Sequence, residues 1–281
     1  MAAAIAGRHL AEQGGGGTVR RFGLVSAEVD ALRAAVANGQ IRPYYQPIVS
    51  MTDGQTLGGE ALARWEHPQR GLVPPDEFIP IAEQCGLIDA IGEQILRQAC
   101  RDAAGWVSPD RVPPKVTVNV SGQQLHRPEF VDIALSALAD SGLPAARLVL
   151  EVTESTVYGD DVLAHAAIVR LRAHGIAIAI DDFGTGYSNL GRLASLPVDL
   201  IKFDRSFLLD IETNPRSRAL LRGLLSMTGE LDLATVFEGI ETDAQADRVR
   251  ALGVQQAQGW LWGQAVPNAQ FPLYLPALLV V

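Results

Sequence analysis

The chain has 281 residues, 48% of them hydrophobic and 20% charged, with a formal net charge of −9 and a pI near 5.0. That length suits one large α/β barrel or two smaller domains. The acidic balance argues against a nucleic-acid polymer as ligand, because such binding needs Lys and Arg in excess. It leaves room for a small phosphorylated ligand if metal ions supply the positive charge.

Residues 1–25 read as a tail or linker remnant with a flexible spacer at Gly14–Gly17, ahead of a single domain over 26–281. The opening MAAAIAGRHLAEQ lacks the basic and apolar regions of a signal peptide. No apolar stretch reaches the ~18 residues of a membrane span, so the expected location is the cytoplasm. Ser26 is expected to cap a helix that stops at Gly39. Strands are expected near 43–50 and 57–65, joined by the short turn at Asp53-Gly54 and therefore antiparallel. Helices follow near 76–84 and 88–104; they contain Cys85 and Cys100, read as buried, reduced, small apolar residues. Strands near 115–121, 147–153, 176–182, 199–204, 234–239 and 257–261 then alternate with helices near 128–141, 161–174, 216–231 and 243–252. The pattern predicts an α/β fold, a (β/α)8 TIM-type barrel variant with one antiparallel strand, whose site lies at the carboxyl ends of the strands. The apolar end FPLYLPALLVV is expected to pack on the body.

Six of the apolar runs end in acidic or polar residues, as strands converging on one polar site would. Two carboxylates at ~4 Å cost about 4 kcal/mol at an effective dielectric of 20, so a cation is needed, and a divalent metal is the simplest. Glu60 sits among apolar neighbours, where a buried carboxylate requires a cation. Leu62 and Arg64 share its strand face, and a guanidinium there suits a phosphate or a guanine edge. Asn119 offers a neutral oxygen ligand or caps a turn. Glu151 repeats the pattern of Glu60, and Glu154, just past its strand, can bind metal or brace a loop. Asp181-Asp182 precedes Gly184 and Gly186, which let a loop bend closely over a ligand. Such a pair can bridge two cations, which together activate a water at a phosphodiester. Lys202 forms either a structural salt bridge or the ammonium that holds the attacking water. Glu238 and Glu241 look like a metal ligand and a supporting acid, and Gln258 would orient a base or support loops. Trp260 and Trp262 read as core residues.

Together, YYQPIV (44–49), EALARWEHP (60–68), FIPIAEQCGLI (78–88), VNVSGQQL (118–125), EVTES (151–155), DDFGTGYSNL (181–190), IKFDRSF (201–207), EGIET (238–242) and QGWLWG (258–263) resemble the EAL domain family of cyclic di-GMP phosphodiesterases. The resemblance implies hydrolysis of cyclic di-GMP to linear 5′-pGpG, with two Mg²⁺ or Mn²⁺ ions held by Glu60, Asn119, Glu151, Asp181, Asp182 and Glu238. It implies that Lys202 contacts the catalytic water, with Lys202, Glu60, Asp181 and Glu238 as the catalytic group. Gln46, Leu62 and Arg64 would bind the dinucleotide, supported by Glu241. Glu154 would hold the DFGTGYS loop, which the family couples to dimer contacts, and Gln258 would support loops. A homodimer within a larger sensor protein is implied too, with a catalytically silent cyclic di-GMP receptor as the alternative. The chain departs from the usual pattern at Ala63, Asn189, Phe203, Phe237, Trp260 and Trp262, none of them an implied metal ligand.

Overall fold

The structure, a computed structural model, describes residues 17–107, 112–159, 161–184, 190–209 and 214–273, with the side chains of 17–26, 190 and 209 aside. The expected spacer at Gly14–Gly17 lies almost wholly outside these residues, as do Gly186, most of the DFGTGYS loop and the last eight residues.

Helix α1 (Gly17–Ala37) leads into a hairpin of β1 (Ile41–Ser50) and β2 (Thr56–His67), followed by β3 (Gly71–Val73), α2 (Pro75–Cys85) and α3 (Ile88–Ala104). Strand–helix alternation follows: β4 (Lys115–Asn119), α4 (Gly122–Leu125), α5 (Phe130–Ser141), β5 (Leu148–Thr153), α6 (Glu154–Tyr158) and α7 (Val162–Ala173). It continues through β6 (Ala177–Phe183), α8 (Leu190–Leu193), β7 (Leu200–Phe203), α9 (Ser206–Leu209), α10 (Pro215–Glu230), β8 (Ala234–Phe237), α11 (Asp243–Ala251) and β9 (Gln256–Gln258).

The sheet runs β1-β9-β8-β7-β6-β5-β4-β2-β3, and β1 also pairs with β2, which closes eight strands into a barrel and leaves β3 as a short flap on β2. Strand β1 is antiparallel to both neighbours, β2 and β9, while β2 and β4 through β9 pair in parallel. The tight turn forces that reversal: Gly54 takes φ 72 and donates its N–H to the Ser50 carbonyl at 2.9 Å. The parallel strands are rich in Val, Ile and Ala and bury both faces between barrel lumen and helices, as parallel sheets require. Ile178, Ile180, Ile201 and Leu150 are all fully buried.

Three expectations need correction. Helix α1 begins at Gly17 and runs through Ser26, so Ser26 lies within the helix and not at its start. Strand β3 was not expected; it pairs with the far end of β2, Trp65 opposite Val73. Four short helices, α4, α6, α8 and α9, occupy what read as strand ends and loops. Cys100 is buried as expected, whereas Cys85 at the end of α2 is only half-buried.

The segment after β9 crosses the outside of the β1–β2 hairpin as a strap. Phe271 stacks on Trp106 with ring centroids 4.4 Å apart and meets Tyr45 edge-on at 5.9 Å. Trp106 donates its indole N–H to Asn268 at 2.8 Å, and Thr56 donates its hydroxyl to the Pro272 carbonyl at 2.9 Å. Gly59 makes this crossing possible, because a Cβ there would lie 2.6 Å from the Phe271 ring.

Candidate active site

The site carboxylates lie near or just beyond the carboxyl ends of barrel strands, with Glu151 inside β5 and Glu60 mid-way along the longer β2. Parallel register brings them to one level. Glu60 lies opposite Thr117, Asn119 opposite Glu151, and Lys202 opposite Val236.

Lys202 is the hub. Its Nζ lies 2.6 Å from Glu238, 2.8 Å from Glu151, 3.1 Å from Asp181 and 3.2 Å from Glu60. One ammonium, 1% exposed, thus faces four carboxylates. Glu60 has two further donors: the Asn119 amide reaches Oε1 at 2.8 Å, and the Gln258 amide reaches Oε2. Glu151 lacks such help; its Oε1 is buried without a hydrogen-bond partner, as is Gln258 Oε1, whereas the buried Asp181 Oδ1 has only its 3.1 Å ion pair with Lys202.

Protonation follows from those partners. Burial pushes the Glu60 carboxyl up, but Lys202 and the two amides outweigh it and hold Glu60 below the usual carboxylate range. Burial, then the nearby Glu60 charge, pushes Glu151 well above that range. Burial also raises Glu238, to about 8, and raises Asp182, beside Asp181, to about 6. Burial works against the Lys202 ammonium, but Asp181, Glu151, Glu238 and Glu60 keep it charged.

The Asp181-Asp182 pair is shaped by a bulge. Strand β6 pairs with β7 as Ala179↔Leu200 and Ile180↔Ile201, then shifts so that Phe183 faces Phe203. The extra residue is absorbed at the aspartates, and Asp182 takes φ 51, a left-handed conformation costing a side chain roughly 1–2 kcal/mol. Carboxylate oxygens of Asp181, Asp182 and Glu238 come within 4.8 Å of one another. Two residues beyond Asp182, Gly184 adopts φ 90 and donates its N–H to Glu154 at 3.1 Å. A Cβ at Gly184 would collide with the Phe207 ring.

The acidic cluster opens into a cavity of about 430 Å³ between β2, β4, α2 and α3. Glu60, Asn119, Glu151 and Asp181 line it together with the aliphatic Leu62, Ile79, Ile88 and Ile91. The sequence reading assigned no role to the α2–α3 wall, although FIPIAEQCGLI carries its apolar residues. It also passed over Gln124, a buried wall residue announced by the capping box Ser121-x-x-Gln124 at the start of α4.

Other expected site residues stand apart from the hub. The Arg64 guanidinium donates to the Ala63 carbonyl at 2.9 Å and does not line the cavity, unlike Leu62. Gln46 lies opposite Glu60 in the β1–β2 register and donates to the Gly263 carbonyl at 3.1 Å. Glu241 is exposed, with its carboxylate 3.6 Å from Arg205. The Gln258 side chain goes to Glu60 rather than to a loop, although its carbonyl accepts the Ile240 N–H. Trp262 is buried, but Trp260 is 64% exposed, contrary to its reading as core.

The donor set fits divalent cations. It offers hard oxygen ligands, more carboxylates than the ammonium can neutralise, and a buried Glu151 oxygen without a hydrogen-bond partner.

The sequence profile of the EAL domain matches residues 29–265. The chain belongs to the EAL domain family. An uncharacterized signaling protein of Caulobacter vibrioides is 42% identical over 84% of the chain and 29% of its own length. The bifunctional diguanylate cyclase/cyclic di-GMP phosphodiesterase MucR of Pseudomonas aeruginosa is 39% identical over 85% of the chain and 35% of its own length. This EAL chain therefore spans about a third of the length of these relatives. The solved structure of the PaMucR phosphodiesterase in complex with c-di-GMP superimposes with a TM-score of 0.81 at 38% identity, covering 87% of this chain and 99% of that one. The fold is thus the EAL barrel, homologous to that of c-di-GMP phosphodiesterases, a family that is typically metal-dependent. No described helix is long and apolar enough to cross a membrane.

Proposed function

We propose that this EAL domain is a cytoplasmic, metal-dependent phosphodiesterase that opens cyclic di-GMP to linear 5′-pGpG. The observation that carries the reading is the cluster of Glu60, Glu151, Asp181 and Glu238 around Lys202, with the buried Glu151 Oε1 left without a partner. Glu60, Asn119, Glu151, Asp181, Asp182 and Glu238 would hold Mg²⁺ or Mn²⁺. Such cations, when bound, lower the pKa of a water and neutralise charge on phosphoryl oxygens.

The chain's own residues do the rest. The cavity, lined by both carboxylates and aliphatic side chains, suits a ligand that joins a phosphodiester to a flat base. Lys202 donates a hydrogen bond to the attacking water and fixes its direction. The water oxygen bonds to phosphorus, the P–O3′ bond breaks, and the departing 3′ oxygen takes up a proton. Leu62, Gln46 and Arg64 hold the dinucleotide, with Glu241 supporting the site. Glu154 anchors the DFGTGYS loop through Gly184, and the domain works as a homodimer within a larger sensor protein.

Purified protein given cyclic di-GMP with Mg²⁺ or Mn²⁺ releases pGpG under this reading. No product across pH, metal and protein concentration would defeat it. A receptor that binds cyclic di-GMP without cutting it is the second reading. It is favoured by one observation, that Lys202 already bridges all four carboxylates. Tight binding with negligible turnover would select it.

A further inference from the structure

Phe183, Phe203 and Phe237 form a continuous row across three adjacent strands. Phe183 on β6 is the register partner of Phe203 on β7, which is the register partner of Phe237 on β8. All three are buried, at 1%, 0% and 0% exposure. Phe203 meets Phe183 edge-on at 5.8 Å and 90°, and stacks on Phe237 at 5.8 Å and 19°. Phe207 of α9 extends the cluster, edge-on to Phe203 at 5.5 Å, and seats against Gly184.

Each ring of the row neighbours a site residue in the chain. Phe183 follows Asp181-Asp182, Phe203 follows Lys202, and Phe237 precedes Glu238. Side chains alternate across a strand, so Lys202 enters the barrel while Phe203 points away from it. The register explains what the row does. Continued without a shift from Ile180↔Ile201, the pairing would set Asp182, not Phe183, against Phe203. A carboxylate in that buried aromatic slot would be unpartnered, whereas Phe183 fills it. Seating Phe183 there forces the extra residue into the Asp181-Asp182 bulge and puts Asp182 at φ 51.

We propose that Phe203 and Phe237 are positioning residues: their aromatic row holds Phe183 in register, and so sets the Asp181-Asp182 bulge and the spacing of the Asp181, Asp182 and Glu238 carboxylates. The metal-affinity part of this inference rests on the proposed function; the register part does not.

The test uses the whole chain with Phe203→Ala, Phe237→Ala and the conservative Phe203→Leu, and Phe130→Leu as a buried control on α5. Calorimetric titration with Mn²⁺, without nucleotide, is expected to show at least a tenfold loss of affinity in both alanine variants. Phe203→Leu and Phe130→Leu should stay within about threefold of the parent, whatever their melting temperatures. A crystal structure of Phe203→Ala is expected to show the β6 bulge relaxed and Asp182 out of the left-handed region. An unchanged bulge and carboxylate spacing in that crystal would overturn the inference, even if the parent binds no metal. So would alanine variants that bind Mn²⁺ as tightly as the parent, or a Phe130→Leu control that loses as much as they do. A parent that binds no Mn²⁺ while Phe203→Ala relaxes the bulge would count against the metal reading and leave the register role standing.

Discussion

The two ends of the β6–β7 strand pair carry opposite charge arrangements. At the amino end, Asp199 meets Arg172 of α7 through two bonds of 2.7 and 3.0 Å, and the same carboxylate accepts the Ile178 N–H at 2.9 Å. One carboxylate answers one guanidinium, half-exposed, with its hydrogen bonds made. At the carboxyl end, one ammonium answers four carboxylates in a nearly sealed site, and buried oxygens are left over. The balanced end needs no further partner. The unbalanced end tolerates a deficit that a native protein rarely keeps without a use for it.

Removing Lys202 should break this contrast most severely. Lys202→Ala leaves four carboxylates without their cation, so turnover on cyclic di-GMP should fall by about 10²–10³-fold or more. The metal-free fold should also lose about 3–5 kcal/mol, as breaking a buried ion pair does. Steady-state kinetics and urea unfolding measure the two losses; near-parental values would mean the hub is misassigned. Glu60→Ala should lose turnover on a similar scale with less effect on folding.

Next in size is Gln258→Ala, which strips one of the two amide donors from Glu60. Partners of this kind typically contribute about 10–100-fold in metal affinity or activity, and a Mn²⁺ titration of the variant reads the loss directly. An unchanged titration would show that the amide is dispensable.

The pH dependence sharpens the comparison further. Glu238 and Asp182 stand at about 8 and about 6, both above their ordinary values. Stability from these groups is therefore complete at low pH and lost as pH rises through 6 and 8. The metal-free protein should melt at lower temperature at pH 8 than at pH 5 as far as these groups decide it. Mn²⁺ must displace their protons, so its affinity should climb over the same range. Calorimetry at a series of pH values tests this; a flat affinity would contradict it.

The smallest effect belongs to the balanced end. Arg172→Ala should cost no more than about 1 kcal/mol, since the pair is half-exposed, and should leave turnover within about twofold. A larger kinetic effect would mean that the two ends communicate.

The barrel was legible because its signals are local. Apolar runs of β-branched residues, the Asp53-Gly54 turn and the amphipathic helices placed the eight barrel strands and six main helices within a few residues. What escaped depends on long-range partners or on very short pieces. Strand β3 has three residues and exists only by pairing with β2. The start of α1 was hidden because Gly17 read as the end of a flexible Gly14–Gly17 spacer. The carboxylate set was legible as strand-end acids, but which acid would stay ionised was not. That depends on Asn119 and Gln258, which reach Glu60 from 59 and 198 residues away. The bulge at Asp181-Asp182 was equally hidden, because it follows from how Phe183 meets Phe203 on the neighbouring strand.

The strap behind the hairpin bears on anyone trimming this domain for expression. The family match ends at residue 265, yet Asn268, Phe271 and Pro272 grip Trp106, Gly59 and Thr56. A version cut at the homology boundary would bare the Trp106 and Tyr45 rings on the back of β1 and β2, the strand that carries Glu60. Its poor solubility would then reflect where it was cut, not a defect in the catalytic face.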